Sequence, residues 1–439
     1  MTLSSFGDKF TRKTGILELM EDLAEAADFT ASKSDAEKRA APLCMLGGGN
    51  PARIPAVEAV WRERMGALLS DEEGFGRLIG AYDSADGMTA FRTSLSALFK
   101  REYGWNVGPE NVCVTNGSQI AVWYLLNLLS GPDAQGRRRR VLFPLMPEYV
   151  GYADQGVHED VFVSCKPRIE LHGDDRFKYY ADMDAVEFLL RGSEPIGGIL
   201  VSRPTNPSGN VLTDQEIIHL AALAKRYDVP LIVDNAYGLP FPGIVFTEAK
   251  PYWDESVVLS MSLSKIGLPS ARTGIIVARK EIIAALSSTN AIASLATGTI
   301  GQAIAEPLIA SGDILRLSRD VVRPYYVQKR ARAFELMKTL FAGMPIRVHE
   351  SEGAIFMWLW FDGLPITSRE LYKRLKARSV MVLSGDYFSF GRFADGSPCS
   401  EWDHPRRCIR INYSSSDDQV ERGLSIIAEE ARKAYSAGV

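Results

Sequence analysis

The residues with the clearest chemical use stand at the ends of apolar runs. The run PLIVDNAY (230–237) places a carboxylate, Asp234, directly after Leu231, Ile232 and Val233, with Tyr237 three positions on. The next run, SVVLSMS (256–262), leads into Ser262-Leu263-Ser264-Lys265, so that Lys265 follows Asp234 by 31 residues and Arg272 comes seven later. A lysine at a buried strand end loses hydration, which favours its neutral, nucleophilic form. A nearby carboxylate is the partner that a protonated ring nitrogen needs. Upstream, Asn116-Gly117-Ser118 opens a helix-forming stretch, and a turn of this kind can hold a phosphate on backbone N–H groups. An amine nucleophile, a ring-nitrogen partner and a phosphate cradle are the parts of a pyridoxal phosphate site.

Such groups meet only if the elements that carry them lie side by side. NVCVTN (111–116) reads as a strand followed by a helix from Ser118 to about Ser130, and VLFPL (141–145) as a strand before a further helix. GGILVSRP (197–204) precedes TDQEIIHLAALAKRYD, in which Thr213 and Glu216 have capping-box spacing and apolar residues recur at helical intervals. PLIVDNAY, SVVLSMS and GIIVAR (274–279) complete the series. Runs so continuously apolar suit strands buried on both faces, with helices as crossovers. The expected fold is α/β, a large domain with a mostly parallel central sheet flanked by helices. Ligands of such sheets bind beyond the carboxyl ends of the strands. That directs attention to the loops TNGSQ, MPEYVGY, RPTNPSGN, DNAYG and SLSK.

The chain changes character near its end. A long helix around Val322–Leu340, a strand in AIFMWLWF (354–361) and a helix opened by Thr367 and Glu370 come first. Strands near 380–384 and 408–413 and a terminal amphipathic helix then complete a smaller α+β domain. The predicted organisation is an N-terminal segment (1–75) packing with the small domain, a large cofactor-binding domain (76–325) and a small C-terminal domain (326–439). The stretch Ala24–Ala41 reads as a polar loop or loose helix. Arg137–Arg140 reads as a solvated loop before a strand, and Trp358 and Trp360 as core packing.

Composition narrows the classes further. The 439 residues are 46% hydrophobic and 24% charged, which excludes disorder and collagen-like repeats and leaves a globular protein with a large core. A net charge of −4 offers no general attraction to nucleic acid or to an anionic membrane, and neither is expected as a partner. Five scattered cysteines without a C-x-x-C pair suit free thiols in a reducing compartment. The N-terminus has no apolar signal region, so a cytoplasmic location is expected. None of the five histidines has metal-ligand spacing to another, so no metal is expected.

Several short motifs follow one another along nearly the whole chain. They are GNP (49–51), Tyr82, TNGSQ (115–119), P-x-Y-x-x-Y (147–152), RPTNPSGN (203–210), DNAY (234–237), SxSK with R-x-G (262–274) and RIN (410–412). In these the sequence resembles the fold-type I, class I/II aminotransferases. FGDKFTRKTGILELMEDL, MLGGGNPARIP and LFPLMPEYVGYAD resemble the valine–pyruvate branch of that family. Two positions depart from the commoner pattern, Arg203-Pro204 in place of Asn-Pro and Phe91-Arg92 in place of Leu-Arg, and both bear on subfamily rather than on cofactor use.

The resemblance implies a role for each matching residue. Lys265 would bind the cofactor covalently and shuttle the substrate α-proton. Asp234 would pair with the ring nitrogen, Asn206 and Tyr237 would hydrogen-bond the phenolic oxygen, and Tyr149 would stack on the ring. Gly117, Ser118, Ser262, Ser264 and Arg272 would cradle the phosphate, with Gln119 bordering that loop. Arg410 would clamp the substrate carboxylate, helped by the backbone near Gly49 and by Asn206. Tyr82 would reach the phosphate of a neighbouring subunit, making the active unit a homodimer. The implied reaction is amino-group exchange between valine, or a similar aliphatic amino acid, and pyruvate. Alanine or aromatic aminotransferases and C–S lyases of the same fold share Lys265, Asp234 and Arg410, and stand as alternatives. A ligand-sensing regulator of this fold would carry a basic helix-turn-helix segment, and the residues before LGGGNP show none.

Overall fold

In the computed structural model, described residues are 42–437, with 3–9 and positions 16, 17, 20, 21, 24, 28, 31, 32 and 34. The reading of Ala24–Ala41 falls largely outside them. Among the described residues no helix is long and apolar enough to cross a membrane.

The apolar runs pair as one large sheet. Its order is Arg392–Phe393, Phe162–Ser164, Arg138–Phe143, Ile196–Ser202, Leu231–Asp234, Val257–Ser262, Gly274–Val277 and Val112–Thr115. Neighbours are parallel except for Gly274–Val277, which runs antiparallel to both strands beside it. Strands 196–202, 231–234 and 257–262 are buried along their whole length, which is why their sequences are apolar without alternation. Helices Ser118–Leu129 and Asp214–Arg226 form as predicted. The second is closed by a reciprocal cap: Thr213 N–H donates to Glu216 Oε2 at 2.8 Å, and Glu216 N–H to Thr213 Oγ1 at 3.1 Å.

Two local expectations are corrected. No α-helix follows VLFPL. The Glu148 N–H donates sideways to Phe388 O at 2.9 Å, and the chain makes one tight turn, Val150–Tyr152. Pro147 has no N–H to give and Gly151 disfavours helix, so the turn does not propagate. The arginine run is not a free loop either, because Arg138–Arg140 open strand Arg138–Phe143. Arg140 is neutralised between Asp160 (3.0 Å) and Glu194 (3.2 Å), and Arg137 pairs with Asp133 at 2.9 Å.

A second sheet has the order Leu383–Ser384, Cys408–Asn412, Phe356–Phe361, Ile346–His349, Arg176–Tyr180 and Arg168–His172. Helices Arg323–Leu340, Ser368–Ala377 and Asp417–Ala437 belong to the same part of the chain. The sheets exchange strands across the boundary expected near 325. Hairpin 168–180 joins the second sheet because Phe177 and Tyr179 bury against Trp358 and Cys408, while Arg392–Phe393 joins the edge of the first. We propose to assign that hairpin to the smaller unit and to keep the divisions near 75 and 325 otherwise. At the N-terminal side, Cys44–Met45 pairs in parallel with Val380–Met381.

Candidate active site

Strand register aligns the chemistry. Ser202, Asp234 and Ser260 are direct neighbours across three parallel strands, and Ser262, Gly274 and Thr115 are direct neighbours across the antiparallel strand Gly274–Val277 and the two beside it. Beyond these ends lies a cavity of about 560 Å³. Of the residues singled out from sequence, all line it except Gly117 and Tyr82.

The Lys265 amine is part of its lining. Lys265 follows strand Val257–Ser262 on a short turn, Ser264–Ile266, and its Nζ donates to Gly49 O at 2.6 Å. Burial first, then the positive charges of Arg410 and Arg272, lower its pKa from 10.5 to about 8, while Asp234 acts in the opposite direction. Part of the amine is therefore neutral near physiological pH. Nζ also stands 5.2 Å from the Tyr237 ring centroid. The turn is braced from behind by helix Pro55–Ser70, whose Trp61 Nε1 donates to Ile266 O at 2.9 Å. Gly267, at φ +98°, allows that approach, since a Cβ there would stand 2.8 Å from Val57 Cγ1.

Asp234 is buried at the end of its strand. Its Oδ1 accepts from Ala236 N–H at 3.1 Å and its Oδ2 from the Tyr152 phenol at 2.5 Å. Burial raises its pKa, and the Tyr152 hydrogen bond, Ala236 N–H and Lys265 oppose that rise. Tyr149 packs edge-on to Tyr152 at 5.2 Å between ring centroids, and both rings border the cavity.

Near the start of helix Ser118–Leu129 is a recess shaped for an anion. Gly117 has φ +94°, and a Cβ on it would come within 2.2 Å of Arg272 Nη2. A Cβ on Gly274 would lie 2.5 Å from Ser118 N. Ser262 Oγ donates to Ser264 Oγ at 2.8 Å and accepts from Ser264 N–H at 2.9 Å. The Ser118 hydroxyl donates to Met261 O at 2.7 Å, leaving its oxygen lone pairs and backbone N–H for other partners. Gln119 donates to Gly151 O at 3.3 Å, consistent with a bordering place.

Arg410, on strand Cys408–Asn412, is only 2% exposed. Nη1 donates to Asn206 Oδ1 at 2.7 Å and Nη2 to Gly47 O. Its Nε has no protein partner despite being buried. Burial lowers its pKa to about 10, so the guanidinium stays charged at neutral pH. Asn412 fastens the same loop by donating to Gly48 O at 2.8 Å. Tyr82 stands apart, 84% exposed.

The sequence analysis passed over Glu148, Tyr152, Ser202, Trp61 and Asn412. Tyr152 and Asn412 lie within motifs noted there. Glu148 had a weaker signal, a lone acid inside the apolar loop LFPLMPEYVGY. Ile16 and Met20 also line the cavity.

The donor set suits pyridoxal phosphate: a recess filled by any added Cβ, a cationic fork beside it, a buried carboxylate and a partly neutral amine. Fold and site together define a fold-type I enzyme that uses this cofactor. The chain belongs to the aminotransferase class I and II family, whose pattern it matches over residues 53–427. It is 44% identical over 436 residues, 99% of each chain, to the valine–pyruvate aminotransferase of Escherichia coli (strain K12). Among solved structures, a putative amino-acid aminotransferase from Psychrobacter arcticum 273-4 superposes with a TM-score of 0.92 at 42% identity, covering 99% of both chains. A valine–pyruvate aminotransferase from Salmonella typhimurium LT2 superposes at 0.83 and 42% identity, covering 96% of this chain and 100% of that one.

Proposed function

We propose that this aminotransferase moves the amino group between valine, or a similar aliphatic amino acid, and pyruvate, giving 2-oxoisovalerate and alanine in alternating half-reactions. The observation that carries the reading is the charge of the cavity. Among its described lining residues the cations are Lys265, Arg272 and Arg410. With Lys265 as the reacting amine and Arg272 at the phosphate recess, Arg410 alone is left to read a carboxylate. Ile16, Met20, Tyr149 and Val150 offer uncharged surface instead. A second substrate carboxylate would be buried without a partner, which costs several kcal/mol. A branched aliphatic side chain gains roughly 1.5–3 kcal/mol from full burial. Full-length similarity to a valine–pyruvate aminotransferase supports the same choice.

When bound, pyridoxal phosphate supplies an electron sink for the charge left at the α-carbon. In our reading Arg410 receives the substrate carboxylate on its planar fork, with Asn206 and Gly47 O holding that fork in place. The neutral amine of Lys265 takes the α-proton onto Nζ and later gives it back. Asp234 would hold the proton of the ring nitrogen, and Asn206 and Tyr237 would hydrogen-bond the phenolic oxygen. Gly117, Ser118, Ser262, Ser264 and Arg272 would hold the phosphate.

Tyr82, exposed at 84%, Ile292 at 89% and Leu295 at 63% support a homodimer in which Tyr82 serves the neighbouring site. All five cysteines are free and buried, which supports a reducing, cytoplasmic setting. Steady-state kinetics with valine, alanine, leucine, aspartate and glutamate as donors test the substrate reading. Valine should have the higher kcat/KM over both acidic donors, and a preference for aspartate or glutamate would overturn it.

A further inference from the structure

Behind Asp234, on the side away from Lys265's turn, a second carboxyl group is fully buried. Glu148 is 0% exposed. Its Oε1 accepts from the Ser202 N–H at 2.8 Å, and its Oε2 accepts from the Tyr149 N–H at 3.1 Å. Oε2 also stands 2.5 Å from Ser202 Oγ. Ser202 Oγ is 3.4 Å from the Tyr152 phenol, whose proton goes to Asp234 Oδ2. A continuous row therefore runs Glu148, Ser202, Tyr152, Asp234.

Counting protons gives the row a direction. Tyr152 has one proton, and Asp234 takes it. The Tyr152 oxygen can then only accept, so the Ser202 proton must point toward it for that contact to be a hydrogen bond. Ser202 Oγ, which would donate to an ionised Glu148, is then turned to accept, and a Glu148 protonated on Oε2 supplies the donor facing it. The same Oε2 still accepts from Tyr149 N–H through a lone pair. If Glu148 were ionised, Ser202 would donate to it instead, and the link to Tyr152 would lose its proton.

We propose that Glu148 is a positioning residue that stores a proton and, through Ser202, aims the Tyr152 phenol at Asp234, so that the negative charge of the row rests on Asp234 alone. The inference rests on the reading of Asp234 as the ring-nitrogen partner. Two carboxylates joined through a buried row resist a second ionisation, which leaves one neutral and one charged. Burial, with a smaller contribution from the Asp234 charge, pushes Glu148 up to about 8; a Ser202 hydroxyl turned to donate and the N–H groups of Ser202 and Tyr149 favour the ionised form and work against that rise. The groups facing Glu148 are Asp234 from its strand end and, from its own loop, the Tyr152 phenol and the Tyr149 N–H. From segment Gly385–Phe388 the Phe388 carbonyl approaches. The cations Lys265, Arg272 and Arg410 bear on Asp234 or Tyr149.

An amide cannot replace this acid. Each carboxyl oxygen accepts a backbone N–H, so the NH₂ group of a glutamine would face one of those donors wherever it turned.

Infrared difference spectroscopy of the holoenzyme, with no substrate present, tests the proposal. Between about pH 6 and about pH 10 the carbonyl stretch of a protonated, buried carboxyl group should disappear with a midpoint near 8, and Glu148→Gln should lack that band. Tyr152→Phe and Ser202→Ala keep the acid and cut the row. Both should retain the band while moving the pH titration of the cofactor's visible absorption by half a unit or more, on the order of a threefold change in proton affinity. No such band in the wild type, a band that survives Glu148→Gln, or an unmoved titration in both Tyr152→Phe and Ser202→Ala would overturn it. If Glu148→Gln does not fold, the latter two variants carry the test. Neither readout depends on which amino acid is the donor, so failure of the valine reading would leave it untouched, and the reverse holds as well.

Discussion

Lys265 and Gly49 lie 216 positions apart, and the lysine amine donates to the glycine carbonyl at 2.6 Å. The contact brings the LGGGNP loop against the Lys265 amine. That loop is in turn tied to the last strand of the second sheet, where Asn412 donates to Gly48 O and Arg410 to Gly47 O. Lys265 and Arg410 thus share one short stretch of backbone.

The amine itself is the first thing to test. Lys265→Ala should abolish turnover, a loss of at least 10²–10⁴-fold from the missing proton transfer alone, with thermal stability unchanged or raised. A buried lysine with a depressed pKa disfavours the folded state below pH 8 and ceases to do so as pH rises toward 10.5, so its removal costs the fold little near neutrality. In the wild type, the rate at which apoenzyme captures the cofactor should rise with pH around a midpoint near 8. A midpoint near the free-lysine value would contradict the buried, cation-flanked environment.

Gly117→Ala probes the phosphate recess. The added methyl group meets Arg272 Nη2 at 2.2 Å, and the backbone at φ +94° is strained for any side chain. Cofactor affinity measured by equilibrium titration should fall about tenfold or more, since one charge-assisted hydrogen bond is worth about 1.5–3 kcal/mol. Activity should recover at high cofactor concentration. Unchanged affinity would place the phosphate elsewhere.

A shared site makes a different kind of prediction. Tyr82→Ala and Lys265→Ala chains, each weak or inactive alone, should regain activity when mixed as heterodimers. One site then carries both lesions and the other neither. Proven mixed dimers with no recovered activity would confine each site to one chain.

Much of this was legible in the residues before any coordinates. Asp234, Ser262 and Lys265 end or follow buried strands, so apolar runs announced both the sheet and the cavity beyond it where these side chains meet. Thr213 and Thr367 announced their helices because a cap is a local hydrogen bond. Contacts between distant segments left no such trace. The hairpin 168–180 has an ordinary strand pattern, and its sheet was decided by where Phe177 and Tyr179 find cover. The helix expected after VLFPL was lost to a bond with Phe388, 240 positions away, that no local pattern encodes. Glu148 was overlooked for the same reason. An acid in an apolar loop acquires meaning only once Ser202 and Tyr152 stand beside it.

The pairing of residues 44–50 with the far end of the chain has a consequence during synthesis. Leu46 N–H donates to Met381 O and Asn412 N–H to Leu46 O, so residues 44–46 find their first strand at Val380–Met381, but Gly47 and Gly48, which lead to Lys265, are not fastened until Cys408–Asn412 is made. A nascent chain that has finished the large sheet still lacks Arg410 and the bonds that seat Gly47 and Gly48. Closing so long a loop adds little extra entropy, about 0.6 kcal/mol per doubling of length, but it makes the order of events strict. A ribosome-bound chain could therefore acquire walls for the cofactor before it can recognise any substrate, and a chain ending short of residue 408 would stop at that half-built stage.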